Sequence, residues 1–176
     1  MTGLLDNHIA AITGAGSGIG RAIALGFGRE GARIVALDIN GDTAGKTAAD
    51  IRAAGGQAQS LTLDVTDPAA CRAVAGEVAD KIGAISILVN DAGINRRNAF
   101  AGDADAVTKD WRDIMAVNLD GVFNVTHAFL AQLRTNKGRI VNIASIQSFM
   151  HVRTPSRPSS AASARVKPST PCFEVV

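Results

Sequence analysis

One glycine-rich turn, residues 14–20, constrains the fold of this chain more than any other stretch. It reads Gly-Ala-Gly-Ser-Gly-Ile-Gly, follows an apolar run at residues 8–12 and precedes a helical pattern that begins near Arg21. Glycines permit positive φ and the close approach of a ligand, while a helix start offers unpaired N–H groups and the positive end of its dipole. The pattern therefore predicts a strand, a turn and a helix that together cradle a phosphate group.

The glycine spacing narrows the kind of cradle. Gly14, Gly18 and Gly20 give G-x-x-x-G-x-G, whereas Ile19 stands where G-x-G-x-x-G needs its third glycine, and no Lys follows to make a P-loop. For the glycines alone, an ordinary strand-to-helix turn is the alternative. With Thr13 in front, the stretch resembles the T-G-x-x-x-G-I-G fingerprint of the short-chain dehydrogenase/reductase family. The resemblance implies that a dinucleotide contacts Gly14, Ser17, Gly18, Ile19 and Gly20.

Composition favours one globular domain. The 176 residues are 47% hydrophobic and 19% charged. The N-terminus lacks a basic region and a signal-type apolar core, and no uncharged apolar run of about 18 residues occurs, so we expect a cytoplasmic protein without membrane contact. Cys71 and Cys172 have no metal or redox spacing, and we expect no metal site.

The charge is unevenly distributed. Residues 1–150 carry 14 Lys+Arg against 15 Asp+Glu, and residues 151–176 carry 4 against 1, which together give the net charge of +2. The alkaline character therefore comes from a short tail, and the near-neutral body argues against a nucleic-acid partner.

Apolar runs alternate with helical patterns along the chain. Strands are predicted at 8–13, 33–38, 59–63, 85–89 and 139–144, and helices at 21–30, 42–54, 68–82 and 105–134. Asp67 before Pro68 predicts an N-cap with proline at the first helical position. In the last helix, Trp111, Ile114, Met115, Val122, Phe129 and Leu133 form an apolar face that packs either within the domain or, as the resemblance implies for full-length relatives, against a second subunit.

The predicted fold class is α/β. The resemblance implies a Rossmann-type, doubly wound parallel sheet of about five strands in the order 3-2-1-4-5, incomplete at its C-terminal end. We expect residues 1–150 to form this dinucleotide-binding domain and residues 151–176 to form an irregular Ser/Pro-rich tail.

Asp38 ends the second predicted strand, 18 residues after Gly20. Dinucleotide-binding folds place an acid near this spacing on the adenosine ribose. A carboxylate there accepts bonds from both ribose hydroxyls and repels a 2′-phosphate, and Ser17 and Ile39 supply no compensating positive charge. Asp38 therefore favours NAD over NADP, the alternative being an ordinary turn residue at the end of a strand.

Two further motifs match the family. Asp64-Val65 follows the third strand, where the resemblance implies contact with the adenine ring. Asn90-Asp91-Ala92-Gly93 resembles the family's Asn-Asn-Ala-Gly turn, which implies cofactor contacts at Asn90, Ala92 and Gly93. Asp91 departs from the second Asn of that motif and loses the donor of an amide.

The resemblance also implies catalytic residues. Asn118 matches the family's catalytic Asn, whose backbone carbonyl holds a water of the proton relay, and Ser145 matches the Ser that hydrogen-bonds the substrate oxygen. In the loop after the fourth strand, Arg96 and Arg97 are candidates for binding a substrate carboxylate, and a solvated basic turn is the alternative.

The pattern breaks at the family's Tyr-x-x-x-Lys pair, because Ser160 stands where Tyr belongs and Ala164 where Lys belongs, in a chain without any Tyr. Serine is a much weaker acid than a phenol, and general acid–base catalysis is worth roughly 10²- to 10⁴-fold. We therefore expect little or no turnover. A shift of reading frame near Ser163 would account for Ala164 and the aperiodic ending but not for Ser160, so a second substitution or a natural degenerate product stays open.

The function implied by the resemblance is hydride transfer between NAD(H) and a secondary alcohol or ketone, such as a polyol, a sugar or a sugar acid, with a 3-oxoacyl thioester as the other substrate class. Two alternatives stay open for this chain. One is a catalytically dead NAD-binding remnant, and the other is an unstable truncation product. The resemblance implies homo-oligomers for full-length relatives.

Overall fold

The computed structural model describes residues 3–96 and 102–145. Ser160, Ala164 and the predicted irregular tail at 151–176 lie outside these residues, as does Arg97.

Five strands form one parallel sheet in the order β3-β2-β1-β4-β5, which confirms the predicted order. The strands are β1 Ile9–Thr13, β2 Arg33–Asp38, β3 Gln57–Thr62, β4 Ile87–Asn90 and β5 Arg139–Asn142. β1 is central and pairs with β2 on one side and with β4 on the other. The chain winds outward from β1 in both directions, so a crevice opens beyond the carboxyl ends of β1 and β4, where sheets of this kind bind ligands.

Within the described residues, five α-helices connect the strands. They are α1 Gly18–Arg29, α2 Gly41–Ala53, α3 Pro68–Lys81, α4 Ala104–Met115 and α5 Gly121–Thr135. The Asp67 side chain accepts hydrogen bonds from the Ala69 and Ala70 N–H groups at 2.7 and 3.1 Å, with Pro68 at the first helical position, so the predicted N-cap is confirmed. Asn40 caps α2 in the same way.

Alternate side chains of the central strands point to opposite faces of the sheet and build two cores. On one face, Ala11, Val35 and Leu88 pack with residues of α3 and α5, including Val78 and Phe129. On the other face, strand residues pack with α1 and α2; this second core includes Ile12, Ile34, Ala36, Ala24, Ala48 and Ile51. The helices thus cover both faces, as a doubly wound sheet requires.

The predicted long helix at 105–134 is interrupted. A π-helical turn, Ala116–Asp120, joins α4 to α5, and the Gly121 N–H donates to the Ala116 carbonyl five residues back. Of the predicted apolar face, Ile114, Phe129 and Leu133 are buried and the other members are partly exposed. By length and composition alone the span 104–135 also passes as a membrane helix; of its buried residues, Val125, Phe129 and Leu133 belong to the core on one face of the sheet.

Element boundaries differ from the predicted ones by at most three residues. The largest difference is at α1, which begins at Gly18 instead of Arg21. Gly18 and Gly20 are poor helix formers, so the helical pattern of the sequence becomes visible only after them.

We predict that Gly121→Ala destabilises the fold. A Cβ on Gly121 would stand 2.6 Å from Val65 Cγ2, so α5 would have to move away from the loop after β3. The expected loss is about 1–3 kcal/mol of unfolding free energy, measured by urea denaturation.

Gly76→Ala is the matched control, because Gly76 is helical and exposed, and a Cβ there meets nothing within 4 Å. This substitution should leave the protein as stable or more stable by up to about 1 kcal/mol. Equal unfolding free energies for the two variants would contradict the tight contact at Gly121.

Candidate functional site

The glycine-rich turn leads from β1 into α1 with two glycines at positive φ, Gly14 at 68° and Gly18 at 52°. A Cβ on Gly14 would stand 3.0 Å from the Ala92 N, so the turn and the loop after β4 approach too closely for a side chain, while Gly18 opens to free space. Ser17, the N-cap of α1, makes no side-chain capping bond. The first N–H groups of α1 have no intrahelical acceptor. The Gly20 N–H bonds the Asp91 carboxylate, and the groups before it are available to an anion.

Beyond this turn lies a cleft of about 530 Å³, here called the adenosine cleft. The structure brings most of the predicted cofactor-binding residues together along its walls: Gly14, Ser17, Gly18, Ile19, Asp38, Asp64, Val65, Ala92 and Gly93. Gly20 does not line it, and Asn90 lines a second cavity instead. Residues drawn from the ends of four strands thus form a single binding surface.

Asp38 is held at the edge of the adenosine cleft by two backbone donors. Its Oδ2 accepts from the Gly16 N–H at 2.9 Å, and its Oδ1 accepts from the Asn40 N–H at 3.0 Å. Gly16 allows this arrangement because a Cβ there would collide with the Thr43 hydroxyl. The sequence did not predict that Gly16 holds Asp38, because the glycines of this turn indicated only a phosphate cradle.

The loop after β3 is held by its own Asx turn and by α5. Asp64 Oδ1 accepts from the Thr66 N–H at 2.9 Å and from its hydroxyl at 2.7 Å. The Val65 carbonyl accepts from Asn124 Nδ2 at 3.0 Å. Asn124 therefore positions the predicted adenine loop from a distant part of the chain. Sequence spacing carries no signal for such a contact.

A second cavity of about 420 Å³, here called the reaction cavity, adjoins the adenosine cleft. It contains both predicted catalytic residues, Asn118 and Ser145, together with Asn90, Asn95 and Asn142. The two cavities share Ile19, Asp91, Ala92, Gly93 and Ile94 as wall residues. A ligand that spans both would pass directly over the loop after β4.

Asn118 lies in the π-helical turn and pairs with the backbone of Ile94. Its Oδ1 accepts from the Ile94 N–H at 2.8 Å, and its Nδ2 donates to the Ile94 carbonyl at 2.9 Å. The side-chain amide thus uses one donor and one acceptor on the Ile94 backbone. The amide thereby fixes the loop after β4 against the long helix.

Asn90 ties the two edge elements of the reaction cavity together. Its Nδ2 donates to Asn142 Oδ1 at 2.8 Å and to Thr126 Oγ1 at 3.1 Å. Its own Oδ1 is buried without a hydrogen-bond partner in the part of the chain that the structure describes. In this position Asn90 joins β4 to β5 and α5, and it lines the reaction cavity at the end of β4.

Among the described residues of the loop after β4, Asp91 alone carries a charge into the wall that the two cavities share. Its carboxylate lies beside the first turn of α1, where a Cβ on Gly20 would stand 2.7 Å from Oδ2. Burial raises the pKa of the Asp91 carboxyl, and a hydrogen bond from the Gly20 N–H lowers it by a smaller amount.

The structure directs Arg96 toward α4. Its guanidinium lies 3.5 Å from Asp113 Oδ2 and 3.8 Å from Asp110 Oδ1, and Lys109 also pairs with Asp113. Lys109 and Arg96 lower the pKa of Asp113 by hydrogen bonding and charge. Arg96 is not among the wall residues of the two cavities, so its predicted contact with a substrate carboxylate competes with an existing ion-pair cluster.

Cys71 is buried, and its burial, together with Asp67 and Asp64, raises the pKa of the thiol to about 11.

Within residues 3–96 and 102–145, no group of three or more His, Cys, Asp or Glu side chains is placed to hold a metal ion.

Comparison with known proteins gives consistent matches over the described residues. The family described as short chain dehydrogenase matches residues 8–164. The chain is 42% identical over 149 residues to a probable oxidoreductase, EphD, of Mycobacterium tuberculosis, covering 84% of this chain and 25% of that protein. It is 40% identical over 142 residues to D-threitol dehydrogenase of Mycolicibacterium smegmatis, covering 80% of this chain and 54% of that protein.

A gluconate 5-dehydrogenase from Burkholderia cenocepacia, solved in complex with NADP and tartrate, superposes with a TM-score of 0.83 at 41% identity. The match covers 92% of this chain and 62% of that chain. This chain therefore spans about half to two thirds of the length of the dehydrogenases it resembles.

We predict that the side chain of Asn118 controls the Ile94 loop through two separable bonds. Asn118→Ala removes both bonds, and the Ile94 amide should lose protection from hydrogen exchange together with about 1–3 kcal/mol of stability. Asn118→Asp keeps the acceptor for the Ile94 N–H and removes only the donor, so the protection of that amide should persist. Similar exchange rates for the Ile94 amide in both variants would contradict the pairing.

Proposed function

The chain belongs to the short-chain dehydrogenase family, and on that premise we propose that it binds NAD across the two cavities. The observation that carries the proposal is the adenosine cleft, which joins an uncapped helix start, a fixed carboxylate at the end of β2 and a polar loop after β3. These are the groups that a pyrophosphate, a ribose and an adenine respectively need. An anion fits at the start of α1, since Gly18 leaves the space beside it open.

We propose a preference for NAD over NADP on the basis of charge. The described walls of both cavities contain three carboxylates, Asp38, Asp64 and Asp91, and no Lys, Arg or His. Asp38 holds its position through two backbone donors and keeps acceptor capacity for ribose hydroxyls. A 2′-phosphate beside it would meet a fixed negative charge without a cation to offset it. NADP is bound in the gluconate 5-dehydrogenase similar to this chain, so the preference rests on these residues alone.

We propose that the reaction cavity is the alcohol or ketone site. Bound NAD would supply a hydride acceptor there. Ser145 lies past the end of β5 and Asn118 on the facing π turn, and their hydroxyl and backbone carbonyl are polar groups suited to hold a substrate oxygen and a water. The names of similar proteins, D-threitol dehydrogenase and gluconate 5-dehydrogenase, support a polyol, sugar or sugar acid as the substrate class.

Ser160 and Ala164, which stand where the family has its Tyr and Lys, favour weak or absent turnover by this chain. A dinucleotide-binding protein without catalysis is therefore the second candidate, and the same cleft supports it. We further propose a cytoplasmic location and a homo-oligomer for the full-length form, in line with the soluble character of the family.

A test of binding and turnover separates a dehydrogenase from a dinucleotide-binding protein without catalysis. Purified chain should bind NADH, measured by the enhancement of nicotinamide fluorescence, yet oxidise D-threitol, galactitol or gluconate no faster than a protein-free blank. The loss of acid–base groups is the physical reason, because their contribution is roughly 10²- to 10⁴-fold. If turnover is observed and Ser145→Ala abolishes it, the chain is an enzyme in its own right. Absence of NADH binding by a cooperatively folded chain would contradict both candidates.

The charge of Asp38 is expected to control the choice between NAD and NADP. Asp38→Asn removes the charge and keeps an oxygen acceptor for the Gly16 or Asn40 N–H, so the ratio of NADP to NAD affinity should rise by about tenfold, which corresponds to about 1.4 kcal/mol. Calorimetric titration with both dinucleotides measures this ratio.

Asp42→Asn is the matched control, since Asp42 is a neighbouring acid in the first turn of α2 and is not among the walls of the cleft. This control should leave the ratio unchanged. A wild-type chain that binds NADP more tightly than NAD would overturn the role assigned to Asp38.

A further inference from the structure

The loop after β4 brings an acid to the place where the two cavities meet. Asp91 is a wall residue of both the adenosine cleft and the reaction cavity, and its backbone N–H donates to Thr13 Oγ1 at 3.1 Å, which fixes its position. Its carboxylate lies beside Gly20, in the first turn of the helix whose N–H groups are available to an anion. One of the donors of that turn is therefore already engaged by a carboxylate.

Among the described residues, no positively charged side chain lines the two cavities beside this carboxylate. From α1 it meets the Gly20 N–H, and from β1 the Thr13 hydroxyl holds its backbone. Asp38 after β2 and Asp64 after β3 are the other ionisable side chains on the described walls, and both are acids. A dinucleotide would therefore bring a pyrophosphate with about two negative charges into a cleft that already holds three carboxylates. Added negative charge in the cleft disfavours ionisation of Asp91, which lies beside the start of α1.

We propose that Asp91 couples dinucleotide binding to the uptake of one proton, because its ionised carboxylate opposes the pyrophosphate at the start of α1. The proposal rests on the proposed function, since it presumes that a dinucleotide occupies the cleft. The proton comes from solvent and is held on the Asp91 carboxyl, which then donates a hydrogen bond instead of repelling the ligand. Asp91 is thus a residue that determines how affinity depends on pH.

The direction of the effect follows from the two states of the acid. Burial already raises the pKa of Asp91 in the free protein, and a nearby pyrophosphate raises it further. Below the pKa of the free site the carboxyl is neutral and binding is strongest. As the pH rises through the interval between the free and bound pKa values, affinity falls, and above that interval it levels off at a lower value.

The test measures NAD affinity by isothermal titration calorimetry from about pH 4, near the ordinary pKa of an aspartate, to about pH 8.5. For the wild-type chain we expect the affinity to fall with rising pH, by at most about tenfold per pH unit and by about fivefold or more in total, because a single proton is involved. Titrations in two buffers with different ionisation enthalpies count that proton directly. This second measurement needs no variant, so it stands even where a substitution unfolds the chain.

Asp91→Asn is the decisive variant. It keeps the shape of the side chain and removes its titration, so it should bind NAD more tightly than wild type at pH 8.5 and show a flat pH profile. The new amide donor alone could tighten binding, but it would do so equally at every pH. Asp64→Asn is the matched control, because it removes a different acid of the same cleft and should keep the wild-type slope.

Distinct outcomes overturn distinct statements. An equal pH slope in wild type and Asp91→Asn, or no net proton uptake by wild type across this range, overturns the role of Asp91 while leaving NAD binding intact. No heat and no fluorescence change with NAD or NADH at any pH, for folded wild type and folded Asp91→Asn alike, overturns the proposed function and the proton coupling with it.

Discussion

The site depends on one hydroxyl group at the centre of the sheet. Thr13 Oγ1, at the end of β1, accepts from the N–H groups of Asp91 and Ala92, each at 3.1 Å, and lies 3.4 Å from the Val89 carbonyl to which it donates. A hydroxyl has one donor and two acceptor sites, so this group is fully used. It is buried, which makes each of these bonds costly to lose. Through it, the loop after β4 is locked to the strand that leads into the phosphate cradle, and the two cavities acquire a common wall.

Backbone N–H groups hydrogen-bond each of the three carboxylates that line the described part of the cleft. Asp38 is held by the N–H groups of Gly16 and Asn40, Asp64 by that of Thr66, and Asp91 faces that of Gly20. Backbone donors stabilise a carboxylate without introducing a cation, so the described walls of the cleft stay negative. Under the proposed function, the phosphates of a dinucleotide would rely on the start of α1, where the Asp91 carboxylate competes for the same donors.

The sequence predicted the parts of the site that lie within a few residues of a strand end. The glycine turn and the placement of Asp38 follow from local patterns and from the rule that parallel strands present their carboxyl ends together. The strand order and the role of Asp64 are implied by the resemblance to the family. What the sequence did not predict are contacts between segments far apart in the chain, such as Asn124 with Val65, 59 residues apart, and Asn118 with Ile94, 24 apart. Arg96 is the instructive case. Its charge made it a candidate for binding a substrate carboxylate. Its ion-pair partners, Asp110 and Asp113, belong to α4 and lie beside Arg96 only in the folded chain.

The π-helical turn explains how one helix serves both cavities. In an uninterrupted α-helix, the periodicity of about 3.6 residues per turn would fix the face on which Asn118 lies relative to the apolar face of the helix. The bond from the Gly121 N–H to the Ala116 carbonyl instead accommodates one more residue in the turn, so Asn118 reaches the backbone of Ile94 while α5 remains packed on the sheet. Gly121 at the end of the turn lets α5 approach Val65, and Asn124 one turn later holds the carbonyl of that loop. A single irregular turn thereby places the predicted catalytic Asn118 and Asn124, which holds the predicted adenine loop, on one continuous helical element, so a shift of this helix would change both ends of the binding surface together.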